Sequence, residues 1–96
     1  MVQGELKSLR ITLEAREGGI LGYVYLADIA PGQAKETVEV EPNAIMADYD
    51  AAGNLLGVEF LAAERADAAV MRGLAEKLKA PELAGIDLAQ MCKSPA

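Results

Sequence analysis

The sequence predicts an α+β domain: an antiparallel β-meander of about five strands, with a long helix packed on one face and a short helix near the C-terminus. Two observations predict it. Over the first two-thirds of the chain, apolar residues recur at every second position in short runs separated by Gly, Pro and Asn. From Ala63 onward the spacing changes to three and four, in a segment rich in strong helix formers. Short connections between consecutive strands favour antiparallel neighbours. Residues 1–96 read as a single domain, with the meander over 8–61, the helix over 62–79 and a short helical extension over 82–93.

The elements follow in order. Leu9, Ile11 and Leu13 alternate with Arg10, Thr12 and Glu14, a strand with one buried face. Arg16-Glu17-Gly18-Gly19 reads as a turn, and Gly22 to Leu26 as the second strand. Ala30-Pro31-Gly32-Gln33 is a loop, after which Val38 and Val40 point inward from a strand over 34–40. Pro42-Asn43 breaks that run, and residues 44–49 and 55–61 supply the last two strands. With Tyr49, Leu56, Val58 and Phe60, the inward residues make the sheet side of a core. On the helix, Ala63, Ala66, Val70, Leu74 and Leu78 fall on one stripe, widened by Met71 and Ala75. Pro81 marks its stop. Asp87, with Gln90 three places on, is the N-cap of a short helix over 88–93, and Ser94-Pro95-Ala96 reads as a frayed end.

Composition excludes much chemistry. The chain has 96 residues, a net charge of −6, 52% hydrophobic and 25% charged residues, no His and no Trp. A folded globule with a modest core is expected, not a disordered chain. Nine scattered Lys and Arg among fifteen acidic residues make no basic stripe, so no nucleic-acid partner is expected. Without His, the commonest general base and transition-metal ligand is missing, and Ser8 and Ser94 have nothing to activate them. A lone Cys92 forms neither an intrachain disulfide nor a thiolate cluster, and reads as a small packed hydrophobe. The N-terminal residues lack a signal-peptide pattern and no apolar run reaches membrane-span length, so a cytoplasmic protein without a membrane partner is expected. The reading leans against an enzyme, with no catalytic residue, cofactor or metal assigned.

One stretch hints at a site. In DYDAAGNLLGVE, residues 48–59, Asp48, Asp50 and Glu59 occupy the first, third and twelfth places of a calcium loop, with Gly53 at the sixth. Calcium needs about six to eight oxygens, yet Ala52 and Leu56 stand at two ligand places, and Glu59 lies far along a strand. The alternative is a β-hairpin turning at Asp50-Ala51-Ala52-Gly53, with Asp50 accepting from the turn amides and Gly53 at positive φ. That turn pairs Tyr49 with Asn54, Ala47 with Leu56 and Ile45 with Val58, and the hairpin is preferred.

The run from Ile45 to Leu61, IMADYDAAGNLLGVEFL, resembles the signature of a small prokaryotic domain family of unknown function, number 2283. The shared features are an apolar pair, Asp-Tyr-Asp, two variable residues, Gly, and an apolar-Gly-Val-Glu-apolar strand. Gly22-Tyr-Val-Tyr-Leu26 resembles an upstream strand of that family, with Gly22 where Leu is usual; Glu14 to Glu17 replaces its usual Tyr-Asp opening. The resemblance covers roughly residues 8–64. It implies a small meander plus helix and no established activity, and it leaves the helical tail as an extension without an inherited role.

The remaining candidates form a surface. Tyr23, Tyr25, Met46, Leu55, Gly57 and Leu61 share the outward sheet face, where Gly57 is either a β-bulge or a point of close approach. Either Leu83, Ile86, Leu88 and Met91 fold back over this face, or it is a self-association surface. A homo-oligomer, with a dimer favoured, is expected, and the acidic surface of Glu36, Glu39, Glu41, Asp48 and Asp50 would also suit a basic protein. The expected function is a non-enzymatic protein-interaction module; the alternative is a small-molecule-binding domain or enzyme using a groove between the outward sheet face and the C-terminal helix. Asp28, Asp48, Asp50 and Glu59 as an acid–base pair is a weaker possibility, for want of an electrophilic partner.

Overall fold

The computed structural model describes residues 9–93; Ser8 and the Ser94-Pro95-Ala96 end lie outside them. Five strands come first: β1 (Arg10–Arg16), β2 (Gly19–Tyr25), β3 (Glu36–Glu41), β4 (Ile45–Tyr49) and β5 (Leu55–Phe60). All neighbours pair antiparallel, in the order β1-β2-β5-β4-β3. The sheet is therefore a meander only in part. Residues 26–35 carry the chain from β2 to the far edge, so β5 returns beside β2 and strands β2 to β5 form a Greek key. Composition explains the placement. LLGVEF, the most buried strand, takes the centre, while RITLEAR and ETVEVE take the edges, where charges and unpaired backbone groups meet water.

Turn chemistry fixes the hairpins. Arg16 pairs with Gly19 across a two-residue turn in which Gly18 has φ 92°. Between β3 and β4, the Ala44 amide bonds to the Glu41 carbonyl, with Pro42 second and positive-φ Asn43 third, the residue pattern of a type II turn. The β4–β5 turn closes through Gly53 N–H to the Asp50 carbonyl, with Gly53 at φ 87°. Asp50 Oδ1 accepts from the Ala52 and Asn54 amides at 3.0 and 2.8 Å.

The pairing beyond that turn differs from the sequence expectation by two residues: Ile45 faces Phe60 and Ala47 faces Val58. A slip of two preserves which face each side chain takes, so alternation alone does not resolve it. One residue of the difference enters at the turn, where Tyr49 faces Leu55 instead of Asn54, and the other at a bulge, where the register jumps from Tyr49–Leu55 to Asp48–Gly57 and Leu56 is the extra residue.

The expected helix over 62–79 is divided. Ala63–Arg65 forms a 3-10 turn, and helix α1 spans Ala68–Leu78. Asp67 separates them because its side chain accepts from the Val70 amide, the N-cap bond that starts α1. The buried residues of α1 are Met71, Leu74 and Ala75, while Val70 is 38% exposed, so the core-facing stripe is rotated from the expected one. The helix ends in a Schellman motif: Lys79 takes the left-handed conformation, and the Ala80 amide bonds to the Ala75 carbonyl at 2.9 Å. Pro81 then opens a second 3-10 turn, Pro81–Gly85, and helix α2 follows at Leu88–Cys92 with Asp87 capping the Gln90 amide. The Ala89 amide bonds to the Ala66 carbonyl, tying α2 to the gap before α1.

All of these helical segments pack on one sheet face. The core joins Val24, Ile45, Val58 and Phe60 to Met71, Leu74, Leu83 and Leu88. Leu83, Ile86 and Leu88 are thus buried on the core side and do not fold over the tyrosine face, while Met91 is exposed. Leu13 and Val38, expected inward, are 37% and 39% exposed because they lie on the edge strands. Gly22 lets the 3-10 turn approach: a Cβ there would sit 2.9 Å from the Ala63 Cβ. Beyond the end of β5, Glu64 Oε1 accepts the Ile20 amide at 2.9 Å, replacing a missing strand partner. Among the described residues, no helix is long and apolar enough to cross a membrane.

Candidate functional site

With the helices on one side, the opposite face of the sheet is built by alternation and register alone. Arg10 on β1 pairs with Tyr25 on β2, Tyr23 with Glu59 on β5, and Tyr25 with Gly57. On the other flank, Asp48 of β4 lies between Gly57 and Thr37 of β3, and Met46 lies between Glu59 and Glu39. Gly57 therefore sits opposite Asp48. Its missing side chain is the key to the site. A Cβ at Gly57 would lie 2.3 Å from Tyr23 Cε1 and 2.5 Å from its hydroxyl, so the Tyr23 ring lies across the bare backbone of β5.

That placement lets Tyr23 span the strand. Its hydroxyl donates to Asp48 Oδ2 at 2.7 Å, and the Thr37 hydroxyl donates to Asp48 Oδ1 at 2.6 Å. Four strands are linked through one buckle of side chains, because the Tyr23 ring also meets Tyr25 with centroids 4.5 Å apart and the Arg10 guanidinium lies 4.0 Å from the Tyr25 centroid. The Tyr23 phenol is pushed well above the ordinary tyrosine range, first by burial and then by its bond to Asp48 and that carboxylate's charge. It stays protonated as a fixed donor, and both Asp48 oxygens are occupied.

The loop from β2 to β3 rises beside this face. Ile29, Pro31 and Gly32 join Arg10, Tyr25 and Asp48 around a shallow cleft of about 440 Å³. Gln33 braces the loop, its amide bonded to the Ala30 carbonyl and its side chain accepting from the Ala30 amide.

Of the six surface residues named from sequence, Tyr23, Tyr25, Met46 and Gly57 come together here. Leu55 does not: the bulge turns it toward the core cluster. Leu61 lies past the end of β5 and is 40% exposed, its amide bonded to the Ala44 carbonyl. Asp50 and Gly53 stay in their turn, where the Asn54 amide and side chain and the Ala52 and Gly53 amides hold the Asp50 carboxyl below its usual range. Arg10 and Thr37 were not singled out by the sequence, since their roles require the β1–β2 and β3–β4 registers. Among the described residues, no group of three or more His, Cys, Asp or Glu converges as a metal site would. Burial, then the nearby Glu64, pushes the Cys92 thiol upward and away from thiolate character.

The C-terminal helix lies on the core side, so no groove separates it from the outward face. A different concavity, of about 510 Å³, lies between α1 and the Ile45–Phe60 end of the sheet.

Residues 22–63 match the model of a family described as a protein of unknown function (DUF2283), the family that the hairpin signature resembles. No curated protein and no solved structure matches the chain.

Proposed function

We propose that the domain carrying this family match is a non-catalytic recognition module whose tyrosine face binds a second copy of itself. The carrying observation is that every helical segment packs on the other side of the sheet, leaving Arg10, Tyr23, Tyr25 and Met46 on a face that the described chain does not cover. Tyr and Arg are the residue types that dominate interface energies, and here they are already ordered by hydrogen bonds and stacking, which lowers the entropy lost on binding.

Charge chooses the partner. Arg10 and Arg16 stand at the β1 side of the face, with Glu14 bonded to Arg16 at 3.1 Å, whereas Glu59, Asp48 and Glu39 occupy the β5, β4 and β3 side. A two-fold axis through the middle of the sheet lays the basic edge of one copy over the acidic half of the other. The preference for a basic partner is thereby met by the chain's own arginine edge.

The test is light scattering on the purified chain and on Arg10→Glu. Dimers are expected for the native protein and monomers for the variant, with dimers restored by adding Glu39→Arg on the β3 edge that the axis lays against β1. A native protein that stays monomeric at high concentration, or a dimer indifferent to Arg10→Glu, refutes the reading.

A further inference from the structure

We propose that the groove between α1 and the sheet is a binding site for an aliphatic carboxylate, an acyl chain lying in the groove with its anion at Arg65. The chemistry of the lining selects this class. Ile45, Phe60 and Leu74 make its floor, and Val70 and Ala69 its α1 wall. No hydroxyl or amide side chain lines it, so a ligand's buried part must make no hydrogen bonds of its own. At about 510 Å³, the space suits a small molecule.

Two features mark it as more than a packing defect. Val70 is a large apolar residue beside the buried stripe of α1 yet is 38% exposed, because it faces the groove and not the core. Gly73 lines the same wall, and a Cβ added there would meet nothing within 4 Å. The helix thus withholds side-chain volume on the groove wall between Val70 and Lys77.

The rim supplies the anion's partner. Its charged residues are Arg65, Lys77 and Glu41, two cations and one anion on a chain of net charge −6. Lys77 is committed to Glu41 at 3.3 Å. Arg65 makes no ion pair among the described residues, which leaves its guanidinium free for a carboxylate. Because the groove opens on the core side, it stays accessible when two tyrosine faces meet, and its occupancy is independent of dimerisation.

The test titrates the full chain with decanoate, read by displacement of a fluorescent fatty acid and by melting temperature. We expect saturable binding of one molecule per chain, with decanol at least about tenfold weaker for want of the charge. Gly73→Leu fills the wall and should abolish binding while the melting temperature holds or rises, since Leu is a better helix former than Gly. Arg65→Gln should bring decanoate down to the level of decanol. Absence of saturable binding, or binding that survives Gly73→Leu, overturns the proposal. So does dissociation of a dimer by Gly73→Leu, which would assign the groove to a second copy.

Discussion

Substituting Gly57 by Ala tests whether the tyrosine face is organised by the bare backbone of β5. The added methyl would lie 2.3 to 2.6 Å from three atoms of the Tyr23 side chain, two of the ring and the hydroxyl oxygen, far inside contact distance. The ring must swing away, breaking the 2.7 Å bond to Asp48 and the 4.5 Å contact with Tyr25. A hydrogen bond to a charged group is worth about 1.5–3 kcal/mol and an aromatic pair about 0.5–1.5 kcal/mol, both at the low end for a half-buried site. Against this, replacing Gly in a strand returns about 0.5–1 kcal/mol of backbone entropy. The net loss is about 1–2 kcal/mol, or roughly 4–16 °C in melting temperature for a domain of this size. Thermal and urea melts of the four members of a Gly57→Ala, Tyr23→Ala cycle measure it. In the Tyr23→Ala background the ring is gone, so Gly57→Ala should become neutral or stabilising by about 0.5 kcal/mol. An equal cost in both backgrounds would refute the steric argument and assign Gly57 to the bulge alone.

Two further outcomes follow from geometry already described. Gly22→Ala places a Cβ 2.9 Å from that of Ala63, which is fixed to the 3-10 turn and cannot rotate aside, so denaturant melts should show a loss of about 1–3 kcal/mol. Asp50→Ala should lower the melting temperature at neutral pH. Because the Asp50 carboxyl is held below its usual range, its stabilisation is present above the unfolded-state value and is lost as pH falls through the depressed one. The gap between native and variant melting temperatures should therefore close on acidification; a gap that persists in acid would mean that the Asp50 charge is not what holds the turn.

Some of this was legible in the sequence because it is local. Alternation assigned Val58 and Phe60 to one face and Tyr23, Tyr25 and Gly57 to the other, and Asp87 announced α2. What was not legible is what depends on partners distant in the chain. No residue in ETVEVE states that β3 lies at the far edge; that follows from β5 being more apolar than either. The β4–β5 slip was invisible because moving two residues returns every side chain to its own face. Asp67 does not stand out in the sequence because the surrounding Ala-rich run has high helix propensity, whereas the side-chain bond to Val70 wins locally. The contact of Tyr23 with Gly57 needs the β2–β5 pairing, so only the oddity of a strand Gly hinted at it. Val70, counted as core, was the sequence's one trace of the groove.

The Greek-key order also dictates how the chain can assemble during synthesis. β1–β2 and β3–β4 are each local hairpins, and an isolated hairpin is at best marginal in water. Nothing joins them until β5, the last strand made, slides between β2 and β4 and hydrogen-bonds to both. A nascent chain arrested before Leu55 holds two unconnected ribbons with unsatisfied inner edges, open to pairing with other chains. Closure of the sheet therefore depends on the non-local β2–β5 pairing, the kind of contact that forms slowly, and the acidic hairpin is what delivers β5 to it.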